Sequence, residues 1–438
     1  MWLWVVRGTS EGPTMNVLER AECLLDAGSS GNMNFTVVVR YRGCLEASAL
    51  RSALATVQAE HLLLRSTVRW QGDHCRFVPT AAPVPVALRP WPGDGPADRE
   101  AVDQTWKAVT MADLRQRFIG AGEPLWRLSW LRGSNAGELL VTFHHAIADG
   151  LSAMALVQRL FTLLAAAEAG VAPPRVHDWD THHPDLHRTF AGSATGPGVL
   201  PSEPPAVSQL SGRQDVGLRT SYGLEQIAAA PSAALLAWGR QRGLRLNATL
   251  HAAFLQALVA EGVLPPQTTA TTVVNLRQLA TPALPWELMR LLRVCVDTPV
   301  TVDPEQPLEF LATQLHGQLQ QLLQADAPLQ ALAGITAALA DNPSPEQFWR
   351  RSWRKGGLIT NLGRVPVAAR HGAFSLERLF FVANVEPIVL PDRPLVVLAA
   401  LSFNGQLSLS SLQIEQQLSD QGAAVVMAAM KRRLLALL

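Results

Sequence analysis

Two adjacent histidines, His144 and His145, are followed after three residues by Asp149 and Gly150, a grouping with the right side chains for proton transfer. Imidazole titrates near pH 6.5, so a histidine can take a proton from an alcohol or amine as it attacks a carbonyl. The residues before the pair, 138–143 (ELLVTF), read as a strand. After it, Val157, Leu160, Phe161 and Leu164 recur at helical spacing. A strand therefore carries the histidines to the end of a sheet, where the chain turns into a helix. Neighbouring residues of an extended chain point to opposite sides, so one histidine at most can face a given cavity. Asp149 can fix the loop by pairing with a cation, and Gly150 can permit a tight turn. On these residues alone a purely structural pair and a pair of metal ligands also stay open, although no third ligand sits at metal spacing nearby.

Two further clusters carry chemistry. Arg350, Arg351, Arg354 and Lys355 lie beside Trp349 and Trp353, and four cations so close together can receive phosphates or an acidic protein face. They read equally well as a solvated helix face. His177, Asp178, Asp180, His182, His183 and His187 have metal-binding side chains without a recognised spacing, and their proline-rich setting favours a solvated linker. Cys23, Cys44, Cys75 and Cys295 are scattered. That usage fits free thiols in a reducing, cytoplasmic setting better than a disulfide framework.

The elements that must position these groups follow from hydrophobic period. Residues 33–42 read as a strand, and Leu50, Ala53, Leu54 and Val57 as an amphipathic helix. Strands are expected near 65–70 and 74–78, a helix through about 97–118, and a strand pair at 125–131 and 138–143. In the second half, helices are expected near 231–242, 247–262 and 307–324, with a last one from Ser419 or Asp420 to the end. Strands are expected near 269–276, 292–300, 357–361, 378–386, 395–402 and 406–413. Between 171 and 215 seven prolines break every pattern, which divides the chain into lobes at 15–170 and 216–438. Residues 1–14 read as a tail or an early start codon. The length of 438 residues supports two lobes. A formal net charge of +1 gives no global attraction to nucleic acid or anionic membrane. No apolar run is expected to reach the ~18 residues of a membrane span.

The pattern His144-His145-x-x-x-Asp149-Gly150 resembles the HHxxxDG signature of the acyltransferase superfamily that includes chloramphenicol acetyltransferase and nonribosomal peptide condensation domains. Pro124-Leu125-Trp126 resembles an element of wax ester synthase/diacylglycerol acyltransferases. Val274-Asn275-Leu276-Arg277 resembles the second-lobe strand whose arginine pairs with the motif aspartate. Thr360-Asn361-Leu362-Gly363-Arg364 looks like a segment of the polyketide-associated branch, the phthiocerol dimycocerosyl transferase type, and stands where plant enzymes carry DFGWG. The resemblance implies an α/β (α+β) fold of two chloramphenicol acetyltransferase-like lobes, each a mixed sheet flanked by helices, with a channel between them.

It further implies that His145 is the general base, supported by His144, and that Asp149 is structural and pairs with Arg277. Asn361 is a candidate oxyanion or substrate contact, as are Ser402 and Asn404 of Ser402-Phe403-Asn404-Gly405. The donor would be an acyl-CoA or acyl-carrier-protein thioester, bound in part by Arg350, Arg351, Arg354 and Lys355. The acceptor would be a small molecule, and the expected product an ester, with amide formation as the first alternative and an inactive scaffold as the second. No metal or redox cofactor is implied, and the expected state is a monomer.

Overall fold

The computed structural model describes residues 13–29, 33–72, 74–92, 99–174, 218–389 and 393–438. Beyond residue 174, the proline-rich segment and its histidine–aspartate cluster lie outside the described residues, as do residues 1–12. The chain opens with α1 (Val17–Gly28), capped by Asn16 and Glu19, whose side chains bond each other's backbone N–H groups in a capping box. It continues through β1 (Asn34–Arg42), α2 (Ala47–Glu60), β2 (Ser66–Gln71), β3 (His74–Pro79), β4 (Val86–Pro90) and α3 (Arg99–Arg115). A hairpin of β5 (Trp126–Arg132) and β6 (Ala136–His144) then leads into α4 (Gly150–Glu168).

The second half holds β7 (Thr220–Ile227), α5 (Ala229–Gln241), α6 (Leu246–Ala260), β8 (Gln267–Asn275) and β9 (Arg293–Thr301). After them come α7 (Leu308–Gln324), α8 (Ala327–Ala340), α9 (Pro345–Arg350) and β10 (Gly356–Arg364). The chain finishes with β11 (Arg370–His371), β12 (Phe374–Ala383), β13 (Leu395–Phe403), β14 (Gln406–Ile414) and α10 (Asp420–Leu435).

Two six-stranded sheets organise these elements, in the orders β11-β12-β1-β6-β5-β4 and β7-β14-β13-β10-β8-β9. Both are mixed: β4 runs parallel to β5, and β10 parallel to β8 and β13, among antiparallel neighbours. This is the two-lobe α/β architecture expected from the resemblance. The lobe boundary is different. β12 lies far along the second half of the chain, yet it pairs with β1 from Phe35↔Ala383 to Arg42↔Ser375. Residues 370–383 therefore belong to the first sheet, and 216–438 is not one continuous lobe. Sequence distance says nothing about which sheet an apolar strand such as Phe374–Ala383 completes.

The middle of the first sheet is buried. β6 is buried along its whole length, and its partner β1 aligns Asn34 with His144, placing the histidine at the sheet's end. α4 corrects a second expectation. It has 19 residues and a mean hydropathy of 1.5, long and apolar enough to cross a membrane by those two measures. Its burial, 61% over that window, and its packing against α2 are those of a core helix.

Candidate active site

The two histidines at the end of β6 diverge. His144 turns inward and is fully buried. Its Nδ1 accepts the Ala146 N–H at 3.0 Å, and its Nε2 lies 3.4 Å from Asp26 Oδ1 on α1. His145 turns the other way, into a cavity of about 330 Å³ between the two sheets. Its ring stacks on Phe35 with centroids 4.5 Å apart. Its backbone N–H donates to Met33 O at 2.7 Å. Its Nδ1 sits 3.3 Å from Ala148 O, and with the proton on Nδ1 donating there, Nε2 keeps its lone pair. Burial, then the Arg293 charge, hold the imidazole well below its ordinary pKa of 6.5, against the opposing pull of the Ala148 carbonyl. The ring is thus neutral at physiological pH.

Asp149 begins α4 as its N-cap, accepting the Ser152 N–H at 3.1 Å while Ser152 Oγ accepts the Asp149 N–H at 2.9 Å. Its other oxygen takes Arg277 Nη1 at 2.6 Å and the Leu292 N–H at 3.0 Å. Arg277, just past β8, is 1% exposed and also donates to the carbonyls of Pro285, Leu288 and Arg290. The pair clamps the motif of the first lobe to the loop ahead of β9 in the second. Gly150 has a role that its local sequence did not suggest. It is the first residue of α4, not a positive-φ turn. A Cβ there would stand 2.7 Å from Leu362 Cδ2, so the glycine permits close approach of the second lobe.

Sequence reasoning missed α1 and its acids altogether. Glu19, Glu22 and Asp26 are all buried and pair with Arg290, Arg293 and His144 respectively. The Glu22 link to Arg293 Nη2 is 2.9 Å, and both residues line the cavity beside His145. The capping pattern from Asn16 to Glu19 was the signal that could have located the helix.

The remaining candidates separate. Asn361 lines the cavity, with its Oδ1 accepting the Gly363 N–H at 2.9 Å. Ser402 and Asn404 do not line it. Asn404 and Gly405, at φ 49° and 76°, form the two-residue hairpin turn between β13 and β14, which accounts for the Ser-Phe-Asn-Gly sequence without an oxyanion role. The four cations form no single patch either. Arg350 pairs with Glu346 on its own helix at 2.5 Å, and Arg354 with Asp297 at 3.3 Å. Arg351 and Arg354 line the cavity. Arg354 and Lys355 line a neighbouring groove of about 1410 Å³ that meets the cavity at Cys295, Ile335 and Arg354. All four cysteines are free, and among the described residues no cluster of three or more His, Cys, Asp or Glu side chains is placed to hold a metal ion.

A two-lobe fold with His145 facing a cavity between the sheets agrees with the resemblance drawn from the sequence. Comparison with known families agrees: residues 24–186 match the condensation domain, and residues 219–412 match the phthiocerol/phthiodiolone dimycocerosyl transferase C-terminus. The chain belongs to this acyltransferase superfamily, and its second half is of the dimycocerosyl transferase type. Among solved structures, polyketide synthase associated protein 5 from Mycobacterium tuberculosis is 16% identical, with a TM-score of 0.67 over 98% of this chain and 97% of that one. The trichothecene 15-O-acetyltransferase TRI3 from Fusarium sporotrichioides is 14% identical, with a TM-score of 0.65 over 97% and 94%. At these identities the likeness carries the fold alone. A probable non-canonical nonribosomal peptide synthetase, CymA, from Salinispora arenicola is 30% identical over 264 residues. That match covers 54% of this chain and 3% of the synthetase's length.

Proposed function

We propose that the protein transfers an acyl group from an acyl-CoA or acyl-carrier-protein thioester to a hydroxyl acceptor, forming an ester, with His145 as general base. The observation that carries this reading is the His145 imidazole, kept neutral by burial and by Arg293, with Nε2 available to the cavity. The acceptor's proton passes to Nε2 as its oxygen attacks the thioester carbonyl, and collapse of the intermediate returns that proton to the departing thiolate. No acyl-enzyme is needed, nor any metal or redox cofactor. Arg351, Arg354 and Lys355, at the junction of cavity and groove, support entry of a phosphorylated donor from that side. The ester reading draws support from the dimycocerosyl transferase match in the second half. The condensation-domain match favours a second reading, an amide from an amine acceptor through the same base.

The test offers octanoyl-CoA with alcohols and amines in turn and reads released thiol. Turnover with alcohols supports the ester, and turnover with amines alone favours the amide. His145→Ala should lower kcat by about 100- to 10,000-fold without unfolding the protein. A folded His145→Ala protein of full activity would remove the proposed base. An absence of turnover by the wild type with every donor and acceptor would favour a scaffold.

A further inference from the structure

A thioester carbonyl under attack needs hydrogen-bond donors or a cation at its developing oxyanion; Ser402 and Asn404 lie outside the cavity, and Asn361 lines it as a neutral amide. The backbone of the histidine motif has few donors to offer. The N–H groups of His145, Ala146, Ile147 and Asp149 go to Met33 O, His144 Nδ1, His144 O and Ser152 Oγ. Arg277 is enclosed by Asp149 and three carbonyls. Arg293 is different. It opens β9, lines the cavity with His145, and remains 26% exposed there while Glu22, 7% exposed, holds its Nη2. A guanidinium carries five N–H donors, so the bond to Glu22 leaves others for a ligand.

We infer that Arg293 is a catalytic residue of the proposed transfer, its guanidinium stabilising the oxyanion that forms as His145 takes the acceptor's proton, with Glu22 as its positioning residue. The inference rests on the acyl-transfer reading above. In the step, the acceptor's O–H or N–H bond breaks and its proton goes to His145 Nε2. The new bond to the acyl carbon forms, and the carbonyl π pair moves onto oxygen. Collapse then breaks the C–S bond, and the thiolate leaves with the proton from Nε2. The intermediate thus places an imidazolium near a guanidinium in a buried site, an arrangement that repels unless a negative charge lies between them. The oxyanion is that charge. The same repulsion, with a smaller one from His144, lowers the His145 pKa beyond the effect of burial. Glu22 keeps the guanidinium from swinging away, and its Oε2, buried without a hydrogen-bond partner among the described residues, leaves Arg293 as the carboxylate's ion-pair partner.

Arg293→Gln and Arg293→Lys test this with octanoyl-CoA and an acceptor that the wild type turns over. Arg293→Gln should lower kcat about 100- to 1,000-fold, the range for loss of one oxyanion donor, with KM changed little. The acid limb of its kcat/KM profile should move up toward the ordinary imidazole range, because the neighbouring charge is gone. Arg293→Lys keeps a cation, so the limb should stay in place and part of the rate should return. Arg293→Gln within about 3-fold of wild type, with His145→Ala inactive, overturns the inference and leaves the base intact. If Arg293→Gln does not fold, Arg293→Lys decides: a folded protein with its acid limb displaced upward and kcat still within about 3-fold of wild type overturns the inference. Full activity in His145→Ala would instead overturn the acyl-transfer mechanism itself.

Discussion

Two ion pairs cross from the first lobe to the second within the same site, and they are built to different ends. Asp149 and Arg277 are 8% and 1% exposed, and Arg277's remaining donors meet carbonyls. Glu22 and Arg293 are 7% and 26% exposed, with one carboxylate oxygen unpartnered and the guanidinium open to the cavity. The first pair has no capacity left for a ligand, so its work is to hold the lobes in register. The second keeps capacity in reserve. A closed pair and an open pair a short way apart separate the task of making a site from the task of using it.

The sharpest way to break the contrast is Asp149→Ala. Removing one member of an enclosed pair leaves Arg277 buried without its partner, and about 3–5 kcal/mol of stability should be lost in urea unfolding. A change below about 1 kcal/mol would show that the clamp is not holding the lobes. Glu22→Gln should cost less, about 1.5–3 kcal/mol, because the cavity can hydrate the guanidinium it releases. Its kcat should fall while the wild-type fold persists; equal stability losses in the two variants would erase the distinction drawn here. The smallest effect expected is from Gly150→Ala, about 1 kcal/mol, since its Cβ meets the flexible end of Leu362. Leu362→Ala in the same chain should restore much of that loss, and a failure to restore it would place the strain elsewhere.

Much of this site was legible in the sequence, for physical reasons that can be named. A strand, a sharp exit and an apolar helix set the His144–Gly150 loop at the end of a sheet, and the alternation of an extended chain separated His144 from His145. Arg277 could be paired with Asp149 only through the family resemblance, because no local pattern links residues so far apart. Glu22 and Asp26 stayed hidden, since a buried carboxylate looks like any surface acid until its cation is found 271 residues away, as Glu22's is in Arg293. The strands of β13 and β14 were read correctly while their turn was misjudged, because Asn-Gly serves a hairpin and a ligand site with the same letters. β4 was unreadable for another reason: all five of its residues are exposed, so it has no apolar alternation to detect.

The return of β12 to the first sheet sets a timetable for synthesis. When β6 leaves the ribosome, β1 has one neighbour and an open edge carrying Phe35, Val37 and Val39. The strand that closes this edge ends at Ala383. At ~5–20 residues per second the nascent chain waits roughly 10–50 seconds with that edge uncovered. Chaperone demand should therefore peak late in translation, and a chain released before residue 374 should aggregate through β1 instead of folding as a stable half.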